Sequence, residues 1–458
     1  MTVQNVAGLF DSIMRRHHIP GAQLAVYRGG ELLELTHGVE RLGQDTPVGP
    51  RSRFAYGSVS KIFTAALVAQ LVDEGEADLD EPIADLLEYG SIPHGHPMNA
   101  VTLRQLLSHT AGLVSDHEGE PLRTPSLRRY FSSVLRTGHV NAPGTAFSYS
   151  NTGYAVAAYM VEVLTGRHWQ DALRIHLADP AGLDLALVRD GNSLSATAPV
   201  VSGHAVNALT GKAEPVEFHV ESTLAAAGGI AGSATALVDM GRALLTHTDT
   251  SHRVRIADPD VLAEMVRHVP AADPFGLADG WGSGWGLFGS ADGTLWLGHD
   301  GTLDGGTCNV RVDPEGGTVL ALTTNSTTGL AAWQDLVTEL ALGETDGDRL
   351  SVGHYRQPAP AGRPLTTAHE FTGEYTNGDL GINIRTTEDG SLGFDACNGL
   401  TGTVEIAGDL TFGVTAEDHG NVLFSGRFLR CPRTGEADLM QYNGRTLRRV
   451  AVAAKQAA

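Results

Sequence analysis

Ser58 and Lys61 stand three residues apart in Gly57-Ser58-Val59-Ser60-Lys61, a spacing that puts two side chains on one face of a helix. From Val59 to Val72 no other residue is charged, and Asp73-Glu74-Gly75 closes the run with a glycine at the C-terminal cap region. A helix that is apolar on nearly all sides belongs inside a protein. An ammonium on such a helix is paired, neutral or catalytic, because burying it alone is costly. The chain has three lysines, Lys61, Lys212 and Lys455, and only Lys61 has a serine three positions earlier. The chemistry open to the pair is acyl transfer. A serine hydroxyl is a poor nucleophile until a base takes its proton, and a desolvated lysine is a neutral amine able to do so. The competing reading is an N-cap serine followed by a lysine that snorkels to solvent.

Two further groups of residues can do chemistry. Tyr149-Ser150-Asn151 lies in the stretch Pro143 to Tyr154. The pattern predicts an extended turn there, with Tyr149 and Asn151 pointing the same way, ahead of a helix from Ala155 to Leu164. His299-Asp300-Gly301-Thr302 follows two predicted strands, Gly280 to Phe288 and Thr294 to Gly298. The other signals read as structural. His109 falls near the end of a helix capped by Thr102 and stopped near Gly112. His94-Gly95-His96 reads as a solvent-facing loop. Ala225 to Gly232 reads as a close backbone approach or a cavity wall, with no phosphate motif. The 19 histidines are scattered, no H-E-x-x-H occurs, and neither metal nor cofactor is expected. Cys308, Cys397 and Cys431 form no disulfide framework and read as thiols in a reducing compartment.

In order and separation, Ser58/Lys61, Tyr149/Asn151 and His299-Asp300-Gly301 resemble the serine β-lactamase and penicillin-binding-protein superfamily. Its members carry Ser-x-x-Lys, then Tyr-x-Asn or Ser-x-Asn, then Lys-Thr-Gly or His-x-Gly. The combination found here looks like the class C β-lactamase, esterase and D-aminopeptidase branch. Flanking stretches agree (Phe54 to Pro82, Leu103 to Leu113, Pro143 to Gly166, Gly228 to Asp239, Gly298 to Gly306), so the resemblance covers nearly all of residues 1–342. It implies Ser58 as nucleophile, with Lys61 and Tyr149 sharing the proton transfers and the phenol pKa lowered if Lys61 is charged. It implies Asn151 on Lys61 or the substrate amide, and His299 hydrogen-bonded to Tyr149. The backbone N–H groups of Ser58 and Thr302 would form an oxyanion hole, such donors supplying ~3 kcal/mol each. Asp300 and Gly301 would border the substrate, and Arg445 or Arg448 would meet a substrate carboxylate.

The elements that must position these residues form an α+β domain over residues 1–345. A helix over residues 3–17 precedes a hairpin, Gly21 to Tyr27 and Glu31 to Thr36, turned by Arg28-Gly29-Gly30. Short helices are predicted from Leu79 and over Ser126 to Arg136. Strands Asn309 to Val312 and Thr318 to Thr324 and a helix Leu330 to Leu342 follow. The expectation is an antiparallel sheet of chain-distant strands, with the central helix packed on it, flanking helices and a helical subdomain. Residues 346–367, with Pro358, Pro360 and Pro364, read as a linker. Over residues 368–458, short alternating stretches (Leu380 to Ile384, Leu392 to Asp395, Thr403 to Ile406, Val422 to Phe428, Asp438 to Tyr442) predict a small barrel or sandwich. The resemblance makes this all-β domain lipocalin-like.

The chain has 458 residues, 42% of them hydrophobic and 19% charged, a globular balance sufficient for two or three domains. A net charge of −21 argues against nucleic acid and anionic membrane surfaces. The N-terminus lacks a basic region followed by an apolar one, and no apolar stretch is long enough to span a bilayer, so a cytoplasmic location is expected. A catalytic domain with one β module is most similar to penicillin-binding-protein-type thioesterases, which act in trans on nonribosomal peptides. That similarity implies a cyclase taking a peptide with a D-configured C-terminal residue from a carrier-protein thioester. The alternatives are the same acyl-enzyme with water as acceptor, as in a D-amino-acid peptidase, esterase or β-lactamase, and a non-catalytic ligand-binding relative.

Overall fold

The computed structural model describes residues 3–117, 126–189, 192–193, 199–245, 256–343, 349–357, 362–365, 369–397, 399–416, 423–430 and 435–450. Its main sheet has seven antiparallel strands in the order Glu31–Gly38, Gly21–Arg28, Thr318–Thr324, Gly306–Asp313, Leu295–Leu303, Gly286–Gly289 and Gly280–Trp281. The hairpin near the N-terminus thus joins a strand nearly 300 positions later through the register Leu24↔Leu322. Alternation along Gly21–Arg28 explains why this strand is buried on both faces. Ala22, Leu24 and Val26 face the helices Val3–Arg16 and Gly329–Leu342, packing with Phe10, Ile13, Trp333 and Leu336. Ala25 and Tyr27 face the larger core on the other side.

That larger core contains the helix Ser60–Asp73, buried along nearly its whole length. The helix does not lie on the sheet as expected. It packs against the helices Asn151–Thr165, Ala225–Gly228 and Pro259–Val266, and only its leading 3-10 turn, Gly57–Val59, rests on the strands Leu295–Leu303 and Gly306–Asp313. The Ala/Gly stretch 225–232 forms its wall. Thr64 donates to Ala226 O, Ser60 Oγ accepts from Ile230 N–H, and Tyr56 N–H donates to Ile230 O. The layer over this face is the helix Ala234–Arg242, with Ser233 as its N-cap.

Several local expectations are corrected. The stretch from Leu79 forms turns, and Pro82 pairs with Thr102 in an isolated bridge. The helix capped by Thr102 ends at Leu107 because His109 takes a left-handed backbone, φ +59°. Asn151 is not on an extended turn. It is the first residue of the helix Asn151–Thr165, which Ser150 caps and Gly166 ends in the left-handed conformation. His96 is not simply solvent-facing, since its ring accepts from Met98 N–H and meets Leu135 O, while His94 is exposed.

The residues read as a linker include a strap. Leu350 and Val352 are buried in the core beneath the helix Gly329–Leu342, and Gly353 O accepts from Arg311; Pro358 and Pro360 lie outside the described residues. The C-terminal part is a closed barrel of eight antiparallel strands, from Gly373–Asn377 to Arg445–Arg449, each paired with the next and the last with the first. Inward positions such as Ile382, Ile384, Phe394, Phe412, Phe428 and Leu447 fill it. Cys308 is buried and Cys397 exposed, both as free thiols; Cys431 lies outside the described residues. Among the described residues no helix is long and apolar enough to cross a membrane.

Candidate active site

Lys61 is fully buried, and its Nζ lies within hydrogen-bond distance of three oxygens: Asn151 Oδ1 at 2.7 Å, Ala227 O at 2.7 Å and Ser58 Oγ at 3.2 Å. The amide of Asn151 has a determined orientation. Its Nδ2 donates to Asp116 Oδ1 at 2.7 Å, and a carboxylate only accepts, so Oδ1 must be the atom facing Lys61. Asn151 Oδ1 and Ala227 O therefore claim two N–H bonds. The remaining position of a neutral amine is a lone pair aimed at the Ser58 hydroxyl. Burial drives the Lys61 pKa well below its ordinary value, with the Asp116 carboxylate opposing and the Arg445 guanidinium assisting.

Tyr149 flanks this pair, its ring centroid 4.8 Å from Lys61 Nζ. Its phenol, expected to be lowered only beside a charged Lys61, is shifted upward. Burial pushes it well up, and the neighbouring Ser58 hydroxyl and the Arg445 guanidinium offset only part of that. Ser58 is close enough to act on the phenol, yet the Tyr149 hydroxyl makes no hydrogen bond of ordinary geometry among the described residues. Both shifts run in the same sense, favouring a neutral amine and a neutral phenol, and so suit Lys61 to the role of base.

His299 does not hydrogen-bond Tyr149. Its Nδ1 faces the Asp300 carbonyl at 2.7 Å, and its ring meets the Tyr149 ring edge-on at 6.3 Å. Burial and the Lys61 charge lower its pKa to about 3, so the ring is neutral. The residue stacked on Tyr149 is His109, at 4.2 Å. His109 Nδ1 accepts from Ser150 N–H, and burial holds this ring neutral as well. Trp281 and Phe147 complete the aromatic wall.

The His299-Asp300-Gly301-Thr302 sequence lies within the strand Leu295–Leu303, not after it. This strand runs against the Ser58 turn at very close range. A Cβ on Gly301 would overlap Tyr56 O and fall 3.0 Å from Ser58 N, while one on Gly57 (φ +52°) would fall 2.9 Å from Thr302 N. Only glycines allow this approach, which puts the Ser58 and Thr302 backbones side by side. Asp300 is taken up elsewhere. Its two oxygens accept from Asn309 and twice from the buried Arg311, whose charge outweighs burial and keeps the carboxyl pKa low. It ties strand to strand, with Oδ1 accepting two hydrogen bonds and Oδ2 one.

The barrel completes the site. Its last hairpin turns at Asn443-Gly444, both with positive φ, and inserts beside the tyrosine turn. Tyr149 N–H donates to Gly444 O, and Gly444 N–H to Phe275 O. The next residue, Arg445, lies over the Tyr149 ring at 5.3 Å. Among the described residues it has no carboxylate partner, only Asn443 O. Arg448 differs: its guanidinium grips Val140 O with two hydrogen bonds and is an interface clamp, not a ligand for substrate. Asp116 and Gly444 were invisible in the sequence because each acts through a loop or turn contact that no local spacing encodes, while Ala227 falls in the stretch read as a close backbone approach. Among the described residues no cluster of His, Cys, Asp or Glu could hold a metal ion.

A sheet between helical layers, with a half-buried serine beside a fully buried lysine on the helical side, fits the class of serine hydrolases and acyltransferases. The beta-lactamase family profile matches residues 6–343, and the chain belongs to that family. It is 36% identical to Penicillin-binding protein 4 of Amycolatopsis lactamdurans, over 74% of this chain and 90% of that protein. It is 27% identical to Unguisins hydrolase ungD' of Aspergillus campestris, over 71% of this chain and 62% of that protein. The crystal structure of SurE superposes with a TM-score of 0.87 at 38% identity, covering 98% of this chain and 99% of that one. A structure of SurE with D-Leu superposes at 0.85.

Proposed function

We propose that the protein is a serine acyltransferase that releases a nonribosomal peptide from a carrier-protein thioester and closes it into a ring, accepting a D-configured C-terminal residue. The observation that carries this reading is the full-length match to SurE, barrel included, a protein solved with D-Leu. The hairpin that delivers Arg445 to Tyr149 supports it from the chemistry, because a guanidinium over this ring, with no carboxylate partner among the described residues, is suited to the oxygens of an acyl residue.

In this mechanism Ser58 Oγ attacks the thioester carbonyl as Lys61 takes its proton. The oxyanion is held by the N–H groups of Ser58 and Thr302. The thiolate leaves with a proton delivered through Tyr149 or Lys61, and the peptidyl group stays on Ser58 as an ester. The peptide's own amine then attacks the ester, loses a proton to the same base, and Ser58 regains its hydroxyl. The hydrolytic alternative replaces the amine with water; similarity to Unguisins hydrolase ungD' favours it as the second reading.

Mass spectrometry of the reaction with a peptidyl thioester mimic ending in a D-residue separates these. A product lacking only the thiol supports the cyclase. A linear acid alone moves the protein to the hydrolase reading. No product and no adduct on Ser58 overturns both.

A further inference from the structure

The barrel reaches the catalytic residues through one buried side chain. Asn377 ends the strand Gly373–Asn377 and is 2% exposed. Its Oδ1 accepts from Ser115 N–H at 2.7 Å. Its Nδ2 donates to Ser148 Oγ at 3.1 Å and to Thr446 O at 2.8 Å. Ser115 O in turn accepts from Asn151 N–H and Thr152 N–H, two of the donors that a helix start leaves without intrahelical partners. Ser148 Oγ also accepts from Thr446 N–H, one residue before Tyr149. The neighbouring Gly378 packs on the backbone of Asp116, where an added Cβ would lie 2.9 Å from the carbonyl oxygen.

One amide therefore grips both sides of the catalytic turn. Through Ser115 it sets Asp116 and the start of the helix that carries Asn151. Through Ser148 it sets Tyr149. We propose that Asn377 is a positioning residue for acylation, so that the barrel is a working part of the catalytic centre and not only an appended domain. The inference rests on Ser58 being the nucleophile. A buried amide left without its partners would cost stability in any case, so the test needs a readout that stability alone does not move.

That readout is the rate of covalent labelling of Ser58 by a fluorophosphonate, followed by intact mass over a range of probe concentrations and well below each variant's Tm. Arg448→Ala is the matched control, because it also removes hydrogen bonds between barrel and catalytic domain but touches neither Ser115 nor Ser148. Asn377→Ala is expected to lower the saturating rate constant about tenfold or more, with the half-saturating probe concentration within about twofold, while Arg448→Ala labels at the wild-type rate. Ser148→Ala, which removes one arm of the grip at smaller structural cost, is expected to slow labelling in the same sense and serves if Asn377→Ala does not fold. Wild-type labelling in a folded Asn377→Ala, or in Ser148→Ala where the former fails to fold, overturns the proposal and leaves Asn377 as interface packing. Failure of the wild type to label overturns the nucleophile assignment instead.

Discussion

Asn151 holds Lys61 and Asp116 at once, its Oδ1 2.7 Å from the lysine nitrogen and its Nδ2 2.7 Å from the carboxylate. Because the carboxylate decides which end of the amide faces the lysine, it also decides where the lysine lone pair goes. Two of the three directions around Nζ are closed by acceptors that cannot donate, and the third leads to Ser58. Lys61 is thus oriented by residues drawn from three separate parts of the chain.

Replacing Ser58 by Ala is expected to abolish turnover, and Lys61→Ala to reduce it by about 10²–10⁴-fold, the range of a general base. Lys61→Arg is expected to be as poor as Ala, because a guanidinium does not give up its proton near neutral pH. Turnover by Lys61→Ala within a few-fold of wild type would remove Lys61 from the base role.

The charges flanking Lys61 act in opposite directions on its pKa. Labelling of Ser58 by a small fluorophosphonate is expected to rise with pH as Lys61 loses its proton, with a midpoint well below the ordinary lysine value. Asp116→Asn keeps an acceptor for Asn151 but removes the negative charge that supports the ammonium, so the rising limb moves to lower pH. Arg445→Ala removes a positive charge that opposes the ammonium, so the limb moves to higher pH. The two shifts must differ in sign. For a D-ending peptidyl thioester, Arg445→Ala is also expected to raise KM, and unchanged kinetics would detach Arg445 from substrate.

Much of this was legible because periodicity is local. The apolar run after Ser58 announced a buried helix, and the turn Arg28-Gly29-Gly30 between two short runs announced the first strand pair. Extension of the strand Leu295–Leu303 past Gly298 through Asp300 and Gly301 was not legible, because these residues are poor strand formers held in place by pairing with the neighbouring strand. The last barrel strand, Arg445–Arg449, lies beyond the alternating stretches recognised in the sequence, the last of which ends at Tyr442. Asp116 and Asn377 carry no motif at all, since their roles exist only once the barrel is docked on the turn. His109 was read as structural, and its left-handed backbone beneath Tyr149 depends on the same docking region.

The contact between the Ser58 turn and the strand Leu295–Leu303 gives a sharp steric prediction. Gly301→Ala would drive a methyl group into Tyr56 O and toward Ser58 N. These are backbone atoms and cannot rotate away, so either the strand or the turn must shift. A displacement near 1 Å at a reacting centre is worth about 10²-fold. Gly301→Ala is expected to lose at least that in acylation rate and to lower Tm, measured by labelling and by thermal unfolding. A fully active Gly301→Ala would mean that the two backbones do not approach this closely.

Acid should destabilise the protein before its carboxylates titrate. His299 has a pKa of about 3 in the folded chain against 6.5 when unperturbed, because burial and Lys61 disfavour the imidazolium. His109 is lowered for the same first reason. Between these limits the unfolded chain binds more protons than the folded one, so stability rises with pH in that window and is lost as pH falls from 6.5 toward 3. The full contribution of His299 alone is on the order of 4 kcal/mol. Urea unfolding at pH 7.5 and pH 5.0 should show a clear drop in the midpoint. His299→Asn, which cannot gain a proton, should shrink that drop, and an undiminished drop in the variant would assign the acid sensitivity to other groups.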